Sequence, residues 1–437
     1  MTEPVVVTTV LRGATVLDGN GGPPKSDQTI VVRGREIIAV GASGRVDVPS
    51  GAHVVNVSGK WIVPGFIDLH VHFPEDASVH DAMLRRFLEF GITTILNPGA
   101  RPGAGVALRE RIRSGDVVGP RMFTAGRLID VAPENRDASG WGADTPTVAS
   151  IQREVKIQSE QVVDFIKLYA GVPPELARAA IEESHTRGIP VIGHLEATGW
   201  RDAALMGIDM LVHSGWATPM DEVISLDDPS TASDTEWYMA YAEASSGEKF
   251  EALAAALVAN DVLVVPTLAV QQVSALGTDT DLLAKLEPSL APEADVPGWW
   301  GEGWRDQHPY YGYESEEEAE MMATVYVPAI LDILRAYYRA GVRIGVGTDV
   351  GNPWMTPGVS FHHELELYAS AGIPLSDILK MATRNGAEAV GALQATGTIE
   401  AGKAADLVVL TADPSLDIRN TRTIESVFLD GELVFER

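Results

Sequence analysis

The sequence predicts an α/β protein: a (β/α)8 TIM barrel carrying a small β-sandwich domain built from both chain ends. Three observations predict it. The middle of the chain alternates strand-like and helix-like segments, which favours parallel βα units. Eight strand candidates can be counted there, the number that closes such a barrel. Both ends consist instead of short β-branched runs cut by Gly, Pro and Asn, the texture of antiparallel strands and turns.

At the N-terminal end the runs are "VLRGATVLDGNG", "TIVVRGREIIAVG" and "AHVVNVSGKWIVPG", and at the C-terminal end "ADLVVLTADP" and "IESVFLDGELVFE". Two β-rich ends around an α/β middle are expected to pair, giving residues 1–62 with 396–437 as one domain and 63–395 as the barrel. The strand candidates are residues 64–72, "GITTILNPG", "PRMFTAGRL", "VDFIKLYAG", "IPVIGHLEA", "DMLVHSGW", "DVLVVPTLAV" and "RIGVGTDVG". Between them, "PPELARAAIEESHTRG" and "AILDILRAYYRAG" have apolar spacing near 3.6 and stop at Gly188 and Gly341, as helices do. A long insertion at about 270–325 follows the seventh strand and collects Trp299, Trp300 and Trp304 among acidic residues. A lid or an oligomer contact explains such a loop better than solvated surface does. The glycine-rich "GARPGAGVAL" breaks the dinucleotide fingerprint and reads as a loop.

Composition excludes several functions. A formal net charge of −28 argues against nucleic acid or an anionic membrane as partner, because both require basic surface. No run reaches the roughly 18 apolar residues of a membrane span. The N-terminal "MTEPVVVTTV" has no basic region leading into an apolar core, so a cytoplasmic location is the expectation. There are no cysteines, so a metal would have to be held by His, carboxylate or a modified Lys.

The chemistry concentrates at strand ends. In "GFIDLHVHF", alternation sends Asp68, His70 and His72 to one side of the strand. The fourth strand ends in Lys167, the fifth in His194, the sixth in His213 and the eighth in Asp349. In a barrel these ends share one mouth, so the six side chains other than Asp68 can surround one point. Singly, each has a bland explanation, such as a snorkelling Lys or a turn Asp. Together they indicate a metal centre. His80, His185 and His308 lack partners at strand ends and read as surface or packing residues.

On these residues the chain resembles the metal-dependent amidohydrolase superfamily over nearly its full length. The carrying motifs are "PGFIDLHVH", Lys167, His194, His213 and "GTD" at 347–349, supported by "MATRNGAEAVG" and "GTIEAGKAADLVVL". Their order is similar to the binuclear subtype, particularly its prolidase-like and imidazolonepropionase-like members. That resemblance implies a carbamylated Lys167 bridging two divalent ions, zinc by default, with His70, His72 and Asp349 on one ion and His194 and His213 on the other. Two ions about 3.5–4 Å apart activate a bridging hydroxide, and Asp349 is then the general base and acid. The implied reaction is hydrolysis of an amide or peptide-like C–N bond of a small molecule.

For the substrate, Tyr169, His363, Arg127 and Trp216 are the binding candidates, with His362 an alternative to His363. The aromatic insertion, Trp216 and Trp354 suggest an apolar or aryl body: an N-acyl amino acid, a dipeptide or an arylamide. Lactone or phosphotriester hydrolysis on the same centre is an alternative. The His194–Glu196 H-x-E pattern admits another, a mononuclear deaminase or cyclic-amidine hydrolase using Glu196. A homo-oligomer is expected from the aromatic loop.

Overall fold

A computed structural model describes residues 7–131, 140–214, 223–224, 233–276, 320–352 and 354–437. Most of the aromatic insertion, including Trp299, Trp300, Trp304 and His308, lies outside the described residues, and so does Trp216.

The two chain ends share one eight-stranded sheet. Thr8–Val16 lies at its centre, antiparallel to Lys25–Arg33. Trp61–Pro64 joins it to the C-terminal strands through antiparallel pairing with Leu407–Leu410. One expectation is corrected: the N-terminal unit is mixed rather than antiparallel, because His53–Asn56 and Trp61–Pro64 both run parallel to Thr8–Val16. After Glu36–Ala42 the chain crosses over through residues 43–52 before re-entering beside the first strand, so it returns in the same direction. The sheet buries its own apolar cluster, in which Leu11, Ile30 and Ile62 meet Ile399, Leu407 and Phe428.

The middle is an α/β fold of parallel strands. Phe66–Asp68, Ile92–Asn97 and Arg121–Thr124 form one parallel sheet. Leu128–Asp130, Ile166–Leu168, Val191–Gly193, Met210–Val212, Leu263–Val265 and Arg343–Ile344 run parallel in a second sheet, with Gly142–Asp144 on its edge. The expected third strand is therefore divided, its two halves contributing to different sheets. A parallel bridge from Ala125 to Phe165 links the sheets on one side. On the other, Leu69 N–H donates to the Val346 carbonyl at 2.9 Å, and Val71 bridges Val350. The strands are apolar on both faces, as strands covered by helices must be: Ile67, Leu96, Phe165, Ile192, Val212 and Val265 form one inner cluster.

The two helices read most clearly from the sequence are present as Pro174–Thr186 and Val327–Ala340. The second is capped by Gly341 at φ +83°, a left-handed turn that glycine adopts without steric cost. The stretch "GARPGAGVAL" is loop only as far as Gly103; the helix Ala104–Ser114 begins within it. No helix among the described residues is long and apolar enough to cross a membrane.

Candidate metal centre

Where the parallel strands hand over to loops, a cavity of about 350 Å³ opens. His70, His72, Lys167, His194, His213 and Asp349 all line it. His70 Nε2 and His72 Nε2 lie 3.2 Å apart. Asp349 Oδ1 is 3.5 Å from the first and 3.4 Å from the second. Ligating atoms of His70, His213 and Asp349 fall within 4.8 Å of one another. The His194 and His213 rings are 4.6 Å apart and the His213 and His70 rings 4.7 Å apart, so the second pair of imidazoles adjoins the first.

The local sequence explains how the strand ends come this close. In "GVGTDVG", a Cβ on Gly347 would sit 2.9 Å from His70 Cβ, and one on Gly351 would sit 2.7 Å from His72 Cβ. Both glycines clear room for the histidines opposite. His213, Asp349 and Thr267 all adopt positive φ, at 66°, 62° and 53°. That conformation costs a residue with a Cβ roughly 1–2 kcal/mol, and such strain collects at functional sites.

The strain at Thr267 is held from both sides. Gln271 Nε2 donates to the Pro266 carbonyl at 2.7 Å and to that of Thr267 at 3.2 Å. The Glu364 carboxylate accepts the N–H groups of Leu268 at 2.9 Å and Ala269 at 2.6 Å. At about 0.5–1.5 kcal/mol each, four such bonds outweigh the backbone cost. The Thr267 hydroxyl lies 2.7 Å from His213 Nδ1, which leaves Nε2 as the nitrogen able to ligate.

Electrostatics favour lone-pair donors. Burial, reinforced by the neighbouring Lys167, His213, His72 and His194, holds His70 well below the usual imidazole range. Burial does the same to His213 and lowers His194. Burial also lowers the Lys167 ammonium to about 7, with Asp349 pulling the other way. Lys167 Nζ is buried without a hydrogen-bond partner among the described residues. A buried polar atom rarely stays unpaired without cause; a neutral amine here suits carbamylation and the sharing of a cation. The donor set of imidazoles, carboxylate and modified amine fits divalent ions such as zinc.

The substrate candidates divide. Tyr169 lines the cavity, its ring 4.4 Å from that of His194. Arg127 is corrected as a cavity residue: its guanidinium grips Glu154 in a two-pronged pair at 2.9 and 2.8 Å, and it is absent from the described lining. The carboxylate on the following helix claims the fork that a substrate would have used. His363 Nε2 meets Gln272 Oε1 at 2.6 Å, and neither residue is in the described lining of the cavity. His362 bonds Thr421 and the Phe90 carbonyl, on the side of the C-terminal strands. Trp354 is buried. Glu196 is half exposed, with Oε1 3.2 Å from His194 Nε2. His80 packs edge-on against Phe73, and His185 pairs with Asp209.

Sequence reasoning missed the supports of the site. Asp68 does not reach the cavity, because Thr348 and the His70 backbone claim its carboxylate. Trp141, Gln271 and Asn352 line the cavity without any preceding signal.

Comparison with known proteins identifies the family. The family model described as "Amidohydrolase family" matches residues 61–209 and 322–434. An imidazolonepropionase of Bacillus velezensis is 22% identical over 397 residues, covering 88% of this chain and 83% of that one. An N-acyl-D-aspartate deacylase of Alcaligenes xylosoxydans xylosoxydans is 32% identical over 112 residues, covering 25% of this chain and 22% of the deacylase. The chain spans between 15% and 22% of the length of the first curated relatives it matches. Among solved structures, a candidate prolidase from Bifidobacterium longum superposes with a TM-score of 0.75 at 25% identity, over 99% of this chain and 96% of that one. With more than half of its length matched by the family model, the chain belongs to the amidohydrolase family.

Proposed function

We propose that this protein is a binuclear metal-dependent hydrolase of small molecules, cleaving an amide or peptide-like C–N bond in an N-acyl amino acid, dipeptide or arylamide with an apolar group. The observation that carries the reading is Lys167: a buried amine with no hydrogen-bond partner among the described residues, lining one cavity with four histidines and Asp349. A mononuclear centre gives that amine no task. The names of the relatives, a deacylase, an imidazolonepropionase and a prolidase candidate, support cleavage of C–N bonds.

In this reading His70, His72 and Asp349 would hold one ion, His194 and His213 would hold the other, and Lys167, once carbamylated, would supply an anionic ligand to the pair. The ions, when bound, would bring the pKa of a water towards ~7 and polarise the scissile carbonyl. Asp349 takes the proton of the attacking water and returns it to the leaving amine, which its place between His70 and His72 allows. Tyr169 donates to the substrate from the rim. The links between the two parallel sheets support a closed (β/α)8 barrel over 63–395. The end sheet, with its own core, supports a separate sandwich-like domain of 1–62 and 396–437.

The test is metal analysis of the purified protein, followed by a panel of N-acyl amino acids, dipeptides and arylamides with Asp349→Asn as control. Two zinc equivalents with amide turnover are expected. Turnover of an aryl ester, lactone or phosphotriester but of no amide would replace this reading with the alternative on the same centre.

A further inference from the structure

A second cavity, of about 310 Å³, adjoins the metal-ligand cavity, and Phe73, Pro74 and Trp141 line both. The other walls of the second cavity come largely from the loop after Ile92–Asn97 and the first turns of the helix Ala104–Ser114, with Ala104, Ala107 and Leu108 facing it. These walls are apolar except for Arg101 and Arg111 near the rim, and they belong to no step of the proposed reaction. The volume is that of a small-ligand pocket.

One lining residue is chemically unfinished. Asn97 is 2% exposed. Its Oδ1 accepts the Gly99 N–H at 3.3 Å, and only an oxygen can take that proton, so the orientation of the amide is fixed. The Nδ2 group is left with two protons and has no hydrogen bond among the described residues. Nδ2 is not itself fully buried, so it opens on the cavity, where an acceptor on a ligand can reach it.

The charged groups around the pocket already have partners. Arg101 pairs with Glu75, Arg111 with Asp81 at 3.3 Å, and His80 Nε2 meets the Pro74 carbonyl at 2.7 Å. With its charges matched, the pocket offers nothing to a free carboxylate or ammonium.

We infer that this cavity holds the part of the substrate remote from the scissile bond: an uncharged apolar group carrying one acceptor oxygen, which Asn97 Nδ2 binds. The inference rests on the proposed hydrolase reading and narrows its substrate class. It favours an aryl-acyl or ether-bearing acyl amide over a free dipeptide, whose terminal ammonium would have to enter an uncompensated pocket.

The test compares N-acetylglycine, N-phenylacetylglycine and N-(4-methoxyphenylacetyl)glycine as substrates of the wild type, Ala107→Trp and Asn97→Asp. Binding of the non-hydrolysable N-(4-methoxybenzylsulfonyl)glycine is measured alongside by calorimetry. Ala107→Trp should raise KM for both aryl substrates by about tenfold or more and leave N-acetylglycine unchanged. Assayed at a pH where the new carboxyl is ionised, Asn97→Asp keeps the acceptor for Gly99 and removes the donor. It should lower kcat/KM about two- to tenfold more for the methoxy substrate than for the phenylacetyl one, the worth of one neutral hydrogen bond. Equal effects of the variants on all three substrates, or no binding of the sulfonamide, would overturn the inference. Sulfonamide binding that responds to both variants, with no amide hydrolysed, would instead sink the hydrolase reading and leave the pocket standing.

Discussion

Asp68 and Thr348, 280 residues apart in the chain, are joined by two hydrogen bonds, Thr348 N–H to Oδ1 at 3.1 Å and Thr348 Oγ1 to Oδ2 at 2.8 Å. Oδ1 also accepts the His70 N–H at 3.1 Å. One buried carboxylate therefore ties the strand end that bears His70 and His72 to the strand end that bears Asp349. It holds the first and last of the candidate ligands in register before any cation arrives.

Replacing Asp68 with Ala should damage this frame. Two buried backbone N–H groups and a hydroxyl would lose their acceptor, at about 1–3 kcal/mol each. Denaturant unfolding of the metal-free protein should show a loss of about 3 kcal/mol or more. A loss below about 1 kcal/mol would mean that the two strand ends are fixed by other contacts.

Asp349→Asn should retain the fold, because the Asp349 N–H bond to the His70 carbonyl at 2.7 Å belongs to the backbone. Amide turnover should fall by about 10²–10⁴-fold, the usual contribution of a positioned acid–base group. Steady-state kinetics on the best amide of the panel checks this. Unchanged kcat would remove Asp349 from proton transfer.

Thr267→Val keeps the branched shape and deletes the hydroxyl that faces His213 Nδ1. Metal affinity should weaken by about 10–100-fold, as when the partner of a ligating histidine is lost, and Thr267→Ser should restore it. Competition with a chromophoric chelator reads the affinity directly. Equal affinities in the three proteins would mean that the hydroxyl does not orient the ring.

Legibility in the sequence followed the reach of each signal. The candidate ligands that line the cavity were readable because a strand that hands over to a loop through His, Lys or Asp leaves a local mark, repeated around the parallel strands. Pro174–Thr186 and Val327–Ala340 were readable from their own periodicity and terminal glycines. The Asp68–Thr348 tie, the Thr267 clamp and the unsatisfied Asn97 amide depend on partners distant in sequence or on orientation, and Thr and Asn carry no marker for such roles. Arg127 misled for the same reason: nothing local reveals that Glu154, on the next helix, occupies its fork. The parallel pairing of His53–Asn56 escaped because short β-branched runs look alike in either direction.

Glu364 gives the stability a pH dependence of known sign. Burial raises its carboxyl from 4.5 to about 8, against the backbone N–H groups of Leu268 and Ala269, which draw it down. Between those values the folded chain keeps a proton that the unfolded chain has released. The contribution is therefore fully present below pH 4.5 and is lost as pH rises through about 8. Melting temperatures across this window should fall more steeply for the wild type than for Glu364→Gln, which has no proton to lose. Parallel profiles would show that Glu364 is ionised throughout.

The central claim is that Lys167 shares a pair of cations with the four histidines and Asp349. Its most direct measurement is the metal content per chain of protein saturated with zinc, in the wild type and in Lys167→Met. The account predicts two equivalents in the wild type and a loss of tightly bound metal in the variant. One equivalent per chain in the wild type, unchanged in Lys167→Met, would contradict it.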